Sequence, residues 1–210
     1  MKTLISTPSL QQAVVTGDIA TLQKCFRSRV DTNMFDDNGE PLLFTAIVNG
    51  DMETLVLLLS NSDVNLASED GRTALMIAVE MNDMSMVKKL IKSGARVDSK
   101  DNSGKTPLLL ALENGKFNIA EYLIKHGSDV NEVDHLGQSA LFFVANADCS
   151  GSSKIVKTLI CCGYVLKDCD SWLCPDNFTD NKTKESKYRN LIHKLKLSFK
   201  TMSNSKNMIL

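Results

Sequence analysis

The sequence predicts an all-α solenoid, one stack of helix-turn-helix units, and three observations predict it. The first is a phrase that recurs four times: Asp36-Asp37-Asn38-Gly39-Glu40-Pro41-Leu42-Leu43, Gly71-Arg72-Thr73-Ala74-Leu75, Gly104-Lys105-Thr106-Pro107-Leu108 and Gly137-Gln138-Ser139-Ala140-Leu141. Its glycines stand 32, 33 and 33 residues apart, a fixed period of the length that stacked supersecondary units show. The second is an apolar stripe at helical spacing between phrases: Ile119, Ala120, Leu123 and Ile124 fall on one face. The third is that a helix pair with a single apolar face cannot bury it alone. At least about three such units must stack, and four full ones are present.

The elements follow in chain order. Residues 1–35 lack the Thr-Pro-Leu opening but keep a second-helix pattern in Ile19, Leu22 and Phe26, as an N-terminal capping repeat does. Full repeats span 36–67, 68–100 and 101–133. In each, Asp and Gly form a turn, since Asp bonds back to nearby amides and Gly accepts positive φ. Thr106 reads as a helix N-cap and Pro107 as a first-turn proline. A Gly or Asn break then opens the second helix, Gly127 closes one of them, and links such as Asp63-Val64-Asn65 and Asp129-Val130-Asn131 lead on.

The repeat at 134–169 carries three extra residues between Ala145 and Ser153. Such insertions fall on one face of a solenoid, often the binding face; drift at the end of an array is the alternative. Residues 170–203 read as a degenerate C-terminal cap with a basic amphipathic helix from 184, in which Tyr188, Leu191, Ile192, Leu195 and Phe199 recur among Lys187, Arg189, Lys194 and Lys196. Residues 204–210 read as a disordered tail.

Charge is unevenly spread. The net charge is −1, but residues 1–170 hold 16 Lys and Arg against 22 Asp and Glu, and residues 171–210 hold 8 against 3. The hydrophobic share of 43% and charged share of 23% are those of a folded globular protein. No apolar run approaches the 18 to 20 residues of a membrane span, and the start has no apolar stretch long enough for a signal peptide. A cytoplasmic protein, nuclear as well on the same grounds, is expected. Its six cysteines would then be unpaired, and the glycosylation patterns at Asn177 and Asn181 unmodified.

The repeated phrase, with the second-helix pattern after it, resembles the ankyrin repeat over roughly residues 9–166. The resemblance implies a helix, a turn, a second helix and an outward loop per unit, with loops pairing as short β-hairpins along one edge. The family's His after the Leu is absent: Phe44, Met76, Leu109 and Phe142 stand there. That implies looser loop linkage, with these four residues in the core or, alternatively, as an apolar ladder near the groove.

The chemistry needed by an enzyme is missing from the pattern. No glycine phosphate cradle occurs, and His126, His135 and His193 are scattered. Cys161, Cys162, Cys169 and Cys174 form the one cluster, but adjacent Cys161 and Cys162 do not fit paired zinc-ligand spacing. No cofactor, no metal and no catalytic residue are expected. An acidic array is a poor partner for nucleic acid, and membrane association through the basic tail is disfavoured.

What the resemblance implies is a monomeric, non-enzymatic module that binds another protein, as adaptor or scaffold. Ankyrin-type inhibition of a kinase or transcription factor, and substrate delivery to a ubiquitin ligase, are the alternatives. Carried over motif by motif, the partner-binding stripe comprises the turn residues Asp37, Asn38, Glu40, Glu69, Asp70, Arg72, Asn102, Ser103, Lys105, His135 and Gln138. It continues at the first-helix ends with Val48, Asn49, Glu80, Met81, Glu113 and Asn114. Its acidic tips in the first two full repeats favour a partner with a basic patch.

Overall fold

The computed structural model describes residues 7–28, 30–147 and 152–165. These form ten helices in five successive pairs. They are α1 (Thr7–Thr16) and α2 (Ile19–Arg27), α3 (Leu42–Val48) and α4 (Met52–Leu59), α5 (Ala74–Glu80) and α6 (Met84–Lys92), α7 (Pro107–Glu113) and α8 (Phe117–Lys125), and α9 (Ala140–Asn146) and α10 (Ser152–Cys161). The chain divides into two compact units, Met1–Asn102 holding α1 to α6 and Ser103–Leu210 holding α7 to α10. No helix among the described residues is long and apolar enough to cross a membrane.

Each helix start is set by local chemistry. Thr106 Oγ1 accepts from Leu109 N at 3.3 Å, with Pro107 in the first turn of α7. Ser139 Oγ does the same for Phe142 N at the start of α9. At α5 the N–H of Thr73 donates to Met76 Sδ at 3.5 Å. Pro41 holds the equivalent place before α3 and supplies no cap.

The second helices use a different device. Asp51 and Asp83 accept from the amides two and three residues on, and Asp18 from the amide three residues on, covering orphan donors of the first turn. The Thr21 and Thr54 hydroxyls add a bond to Asp18 and Asp51, and these bonds hold both carboxyls below the usual aspartate range. Before α8 stands Lys116, which makes no such cap. In the first four pairs the residue before the second-helix N-cap turns the chain with positive φ: Gly17, Gly50 and Gly115, and before α6 Asn82, at φ 56°.

Packing follows the repeat. Within the first unit α3 lies against α1 and α5, and within the second α7 lies against α9 and α8 against α10. Leu42, Leu43, Phe44, Ala46 and Ile47 of α3 are buried, as are Pro107 to Leu112 of α7. Phe44, Met76 and Leu109 are at most 1% exposed, so at the three positions the missing His gives way to core, while Phe142 is half-buried against Phe143. The apolar side chains fill space that stacking must fill in any case.

The hairpins implied by the resemblance shrink to single antiparallel bridges, Phe35 with Pro41, Ala67 with Thr73 and Val133 with Ser139. The arms beside each four-residue turn are too short for more. Main-chain bonds still join successive loops within each unit, Asn102 N to Asp70 O at 2.9 Å and His135 N to Ser103 O at 2.9 Å. Loop linkage therefore survives without the His.

A second stitch comes from the Asn of the inter-repeat links. Asn65 donates through Nδ2 to Gly94 O at 3.3 Å and accepts at Oδ1 from Arg96 N at 2.8 Å. Asn131 makes the same pair of bonds to Gly163 O and Val165 N at 3.1 and 2.8 Å, and Asn33 accepts from Asp63 N at 2.7 Å. Each Asn thus closes the helix end of the following repeat.

Part of the insertion, residues 148–151, lies outside the described residues. So do the C-terminal cap with its amphipathic helix, the final tail, Cys169, Cys174 and His193. Cys161 and Cys162 are exposed. His126 has a structural place, its Nδ1 2.8 Å from Tyr122 O and its ring stacked on Tyr122.

Candidate partner-binding surface

The turns are built before they can present anything. Asp36 Oδ1 accepts from Asn38 N and Glu40 N at 2.9 Å each, and Asp134 Oδ1 from Leu136 N and Gln138 N at 2.9 and 2.8 Å. Ser68 takes that role in the repeat at 68–100, accepting from Arg72 N at 3.3 Å. With the backbone so held, the residues between the Asp or Ser and the Gly project outward. Asp37, Asn38, Glu40, Glu69, Asp70, Asn102, Ser103 and His135 are all exposed.

The first-helix ends are exposed too. Val48, Asn49, Glu80, Met81, Glu113 and Asn114 are open, with Val48 at 55% and Met81 at 51%. Arg72, Lys105 and Gln138 are half-buried. In the first unit the stripe follows α3 and α5 and the turns before them; in the second it follows α7 and the turn before α9.

Two pairs of stripe residues are engaged with each other. Arg72 forms an ion pair with Glu80, and Lys105 Nζ lies 2.7 Å from both Glu113 oxygens. Lys105 also sits 5.4 Å above the Phe143 ring. Each pair joins the residue after the turn Gly to the residue at the far end of the first helix, so the long cation lies along that helix. Its charge is largely satisfied before any partner arrives. In contrast Asp37, Glu40, Glu69 and Asp70 take part in no ion pair among the described residues.

Of the exposed apolar residues outside the motif-based list, Leu136 and Val15 stand at a turn tip and at a first-helix end. Leu136 stands at the tip of the last described turn, 81% exposed, and Val15 at the end of α1, 57% exposed. Val15 lies 33 residues before Val48, so the repeat period itself marks it as equivalent. Asn49 Nδ2 donates to Val15 O at 3.3 Å, which places the two helix ends side by side.

Nothing at this surface resembles reaction chemistry. Among the described residues no group of three or more His, Cys, Asp or Glu is placed to hold a metal ion. Cys25, the buried thiol among the described residues, is packed in the core of the first pair, where burial pushes its pKa up and makes it less reactive.

A model of the family described as ankyrin repeats, three copies, matches residues 10–101 and again 81–170. No curated protein matches the chain. Ankyrin repeats are protein–protein interaction modules, and the family is generally non-enzymatic. The two matches together span most of the sequence, and with the five helix pairs they show that the chain belongs to the ankyrin-repeat family.

Proposed function

We propose that this array is a non-enzymatic adaptor or scaffold that holds another protein against its turn tips and first-helix ends. The observation that carries the reading is a contrast within each repeat. The helix faces toward neighbouring repeats close into a core, while the same two positions, tip and helix end, stay open in repeat after repeat. A surface repeated at a fixed sequence period suits an extended epitope.

Charge narrows the partner. The tips of the repeats at 36–67 and 68–100 offer Asp37, Glu40, Glu69 and Asp70 without internal counter-ions among the described residues, which favours a partner with a basic patch. Affinity capture with the full chain, followed by mass spectrometry, tests this. Specific proteins recovered by the wild type should be depleted when Glu69→Lys and Asp70→Lys are combined. Recovery of every partner at wild-type level would sink the assignment.

A further inference from the structure

Ion pairs form rungs along the first helices of the repeats at 68–100 and 101–133; the repeat at 134–169 has Gln138 and Asn146 at those positions, and the repeat at 36–67 has a charged but incomplete rung. Arg72 with Glu80 and Lys105 with Glu113 occupy the positions one and nine residues after the turn glycine. In the repeat at 36–67 those positions hold Glu40 and Val48. An acid stands where the next two repeats have a cation, and an exposed valine stands where they have its carboxylate.

We propose that a partner segment completes this rung, placing an Arg or Lys against Glu40 and Glu69 and an apolar side chain on Val15 and Val48. It rests on the reading of the stripe as a protein-binding surface and adds which residues anchor the partner and with what chemistry. The Glu69 carboxylate lies over the turn that carries Glu40. A Cβ built on Gly39, next to Glu40, would lie 3.5 Å from Glu69 Oε1, so the Glu69 side chain reaches over the preceding turn. Asp37 and Asp70 are exposed on the same two turns. The apolar half is equally continuous, because Val15 and Val48 are 57% and 55% exposed and the Asn49 bond to Val15 O holds their helix ends together.

Charge complementarity selects a basic occupant, and the valines require it to carry an apolar residue beside the basic one. A hydrated cation alone leaves Val15 and Val48 uncovered; an apolar peptide without a cation leaves the carboxylates unanswered. Both halves lie within the unit Met1–Asn102.

A random twelve-residue peptide library displayed on phage and selected against the full chain tests the proposal. The enriched peptides should share an Arg or Lys near an apolar residue. A fluorescein-labelled copy of the most enriched one should bind at least tenfold more weakly to Glu40→Lys and to Val48→Glu, and nearly unchanged to Lys125→Ala, at the exposed end of α8 and outside the stripe. Because all three side chains are at the surface, unchanged thermal melts will show that the variants fold. Peptides that ignore Glu40→Lys and Val48→Glu but respond to Glu113→Lys or His135→Ala overturn this inference and leave the broader function standing. Peptides that respond to no stripe residue overturn both. Self-association of the free chain that disappears in Val48→Glu would assign the surface to a second copy and also overturn the proposal.

Discussion

The repeats at 36–67 and 101–133 share a backbone plan and distribute their bonds in opposite ways. In the later repeat the turn is closed: a Cβ on Gly104 would lie 2.5 Å from His135 Cδ2 and 2.8 Å from His135 N, Lys105 is paired with Glu113, and Thr106 caps α7. Its second helix starts at Lys116 with no cap. In the earlier repeat the turn is open: Gly39 meets only the Glu69 side chain, Glu40 has no counter-ion among the described residues, and Pro41 caps nothing. There the second helix is secured by Asp51. One repeat spends its turn and first helix on itself, and the other leaves them facing outward. Stacking holds both, so local bonds can be withdrawn from one place without loss of the fold.

The largest effect that would break this comparison is at the two turn glycines. Both have positive φ, 75° at Gly39 and 78° at Gly104. A side chain there costs about 1–2 kcal/mol for the left-handed backbone alone, and overpacking against a neighbour adds about 1–3 kcal/mol. Gly104→Ala should therefore destabilise by roughly 2–5 kcal/mol and Gly39→Ala by only about 1–2 kcal/mol. Urea melts of the two variants measure the gap; equal losses would mean the turns are equally packed.

The helix caps come next. Asp51→Ala should cost about 1 kcal/mol at neutral pH, and Lys116→Asp should add a comparable or smaller gain by giving α8 the cap it lacks. The sign with pH follows from the lowered pKa of Asp51 in the folded chain, caused first by the Thr54 hydroxyl. Its stabilisation is complete above the unfolded value of about 3.9 and is lost as pH falls through the lower folded value. Thermal melts from pH 7 down to pH 2 should therefore show the wild type and Asp51→Ala converging at the acid end. A gap that persists there would locate the effect elsewhere than in the carboxylate.

The smallest effect is the ion pair. Lys105 and Glu113 side chains are 21% and 38% exposed, so water screens them and a double-mutant cycle to Ala should give about 0.2–1 kcal/mol. The complementary experiment completes the rung of the repeat at 36–67. Glu40→Lys with Val48→Glu should recover a coupling of the same size, and it should close the surface to a basic partner.

Much of the scaffold was legible in the sequence because period and polarity carry it. The glycine spacing located the turns, Thr106 and Pro107 located the start of α7, and Ile119, Ala120, Leu123 and Ile124 located the buried face of α8. The surface was harder to read. Arg72 with Glu80, and Lys105 with Glu113, are eight residues apart, outside the three- and four-residue spacings by which helical pairs are recognised. They meet because the cation starts before the helix and runs along it. Val15 escaped because its half-motif lacks the phrase that numbers the others, although the period alone assigns it. The role of Asn65 and Asn131 was hidden for a similar reason, since each bonds to backbone about thirty residues on.

The most direct test of the central claim is the affinity of a purified, captured partner for the full chain and for the Glu69→Lys, Asp70→Lys double variant, measured at low and high salt. The account predicts at least about a tenfold loss for the variant at low salt and a smaller gap at high salt, where exposed charges are screened. Equal affinities for both chains at low salt would contradict it.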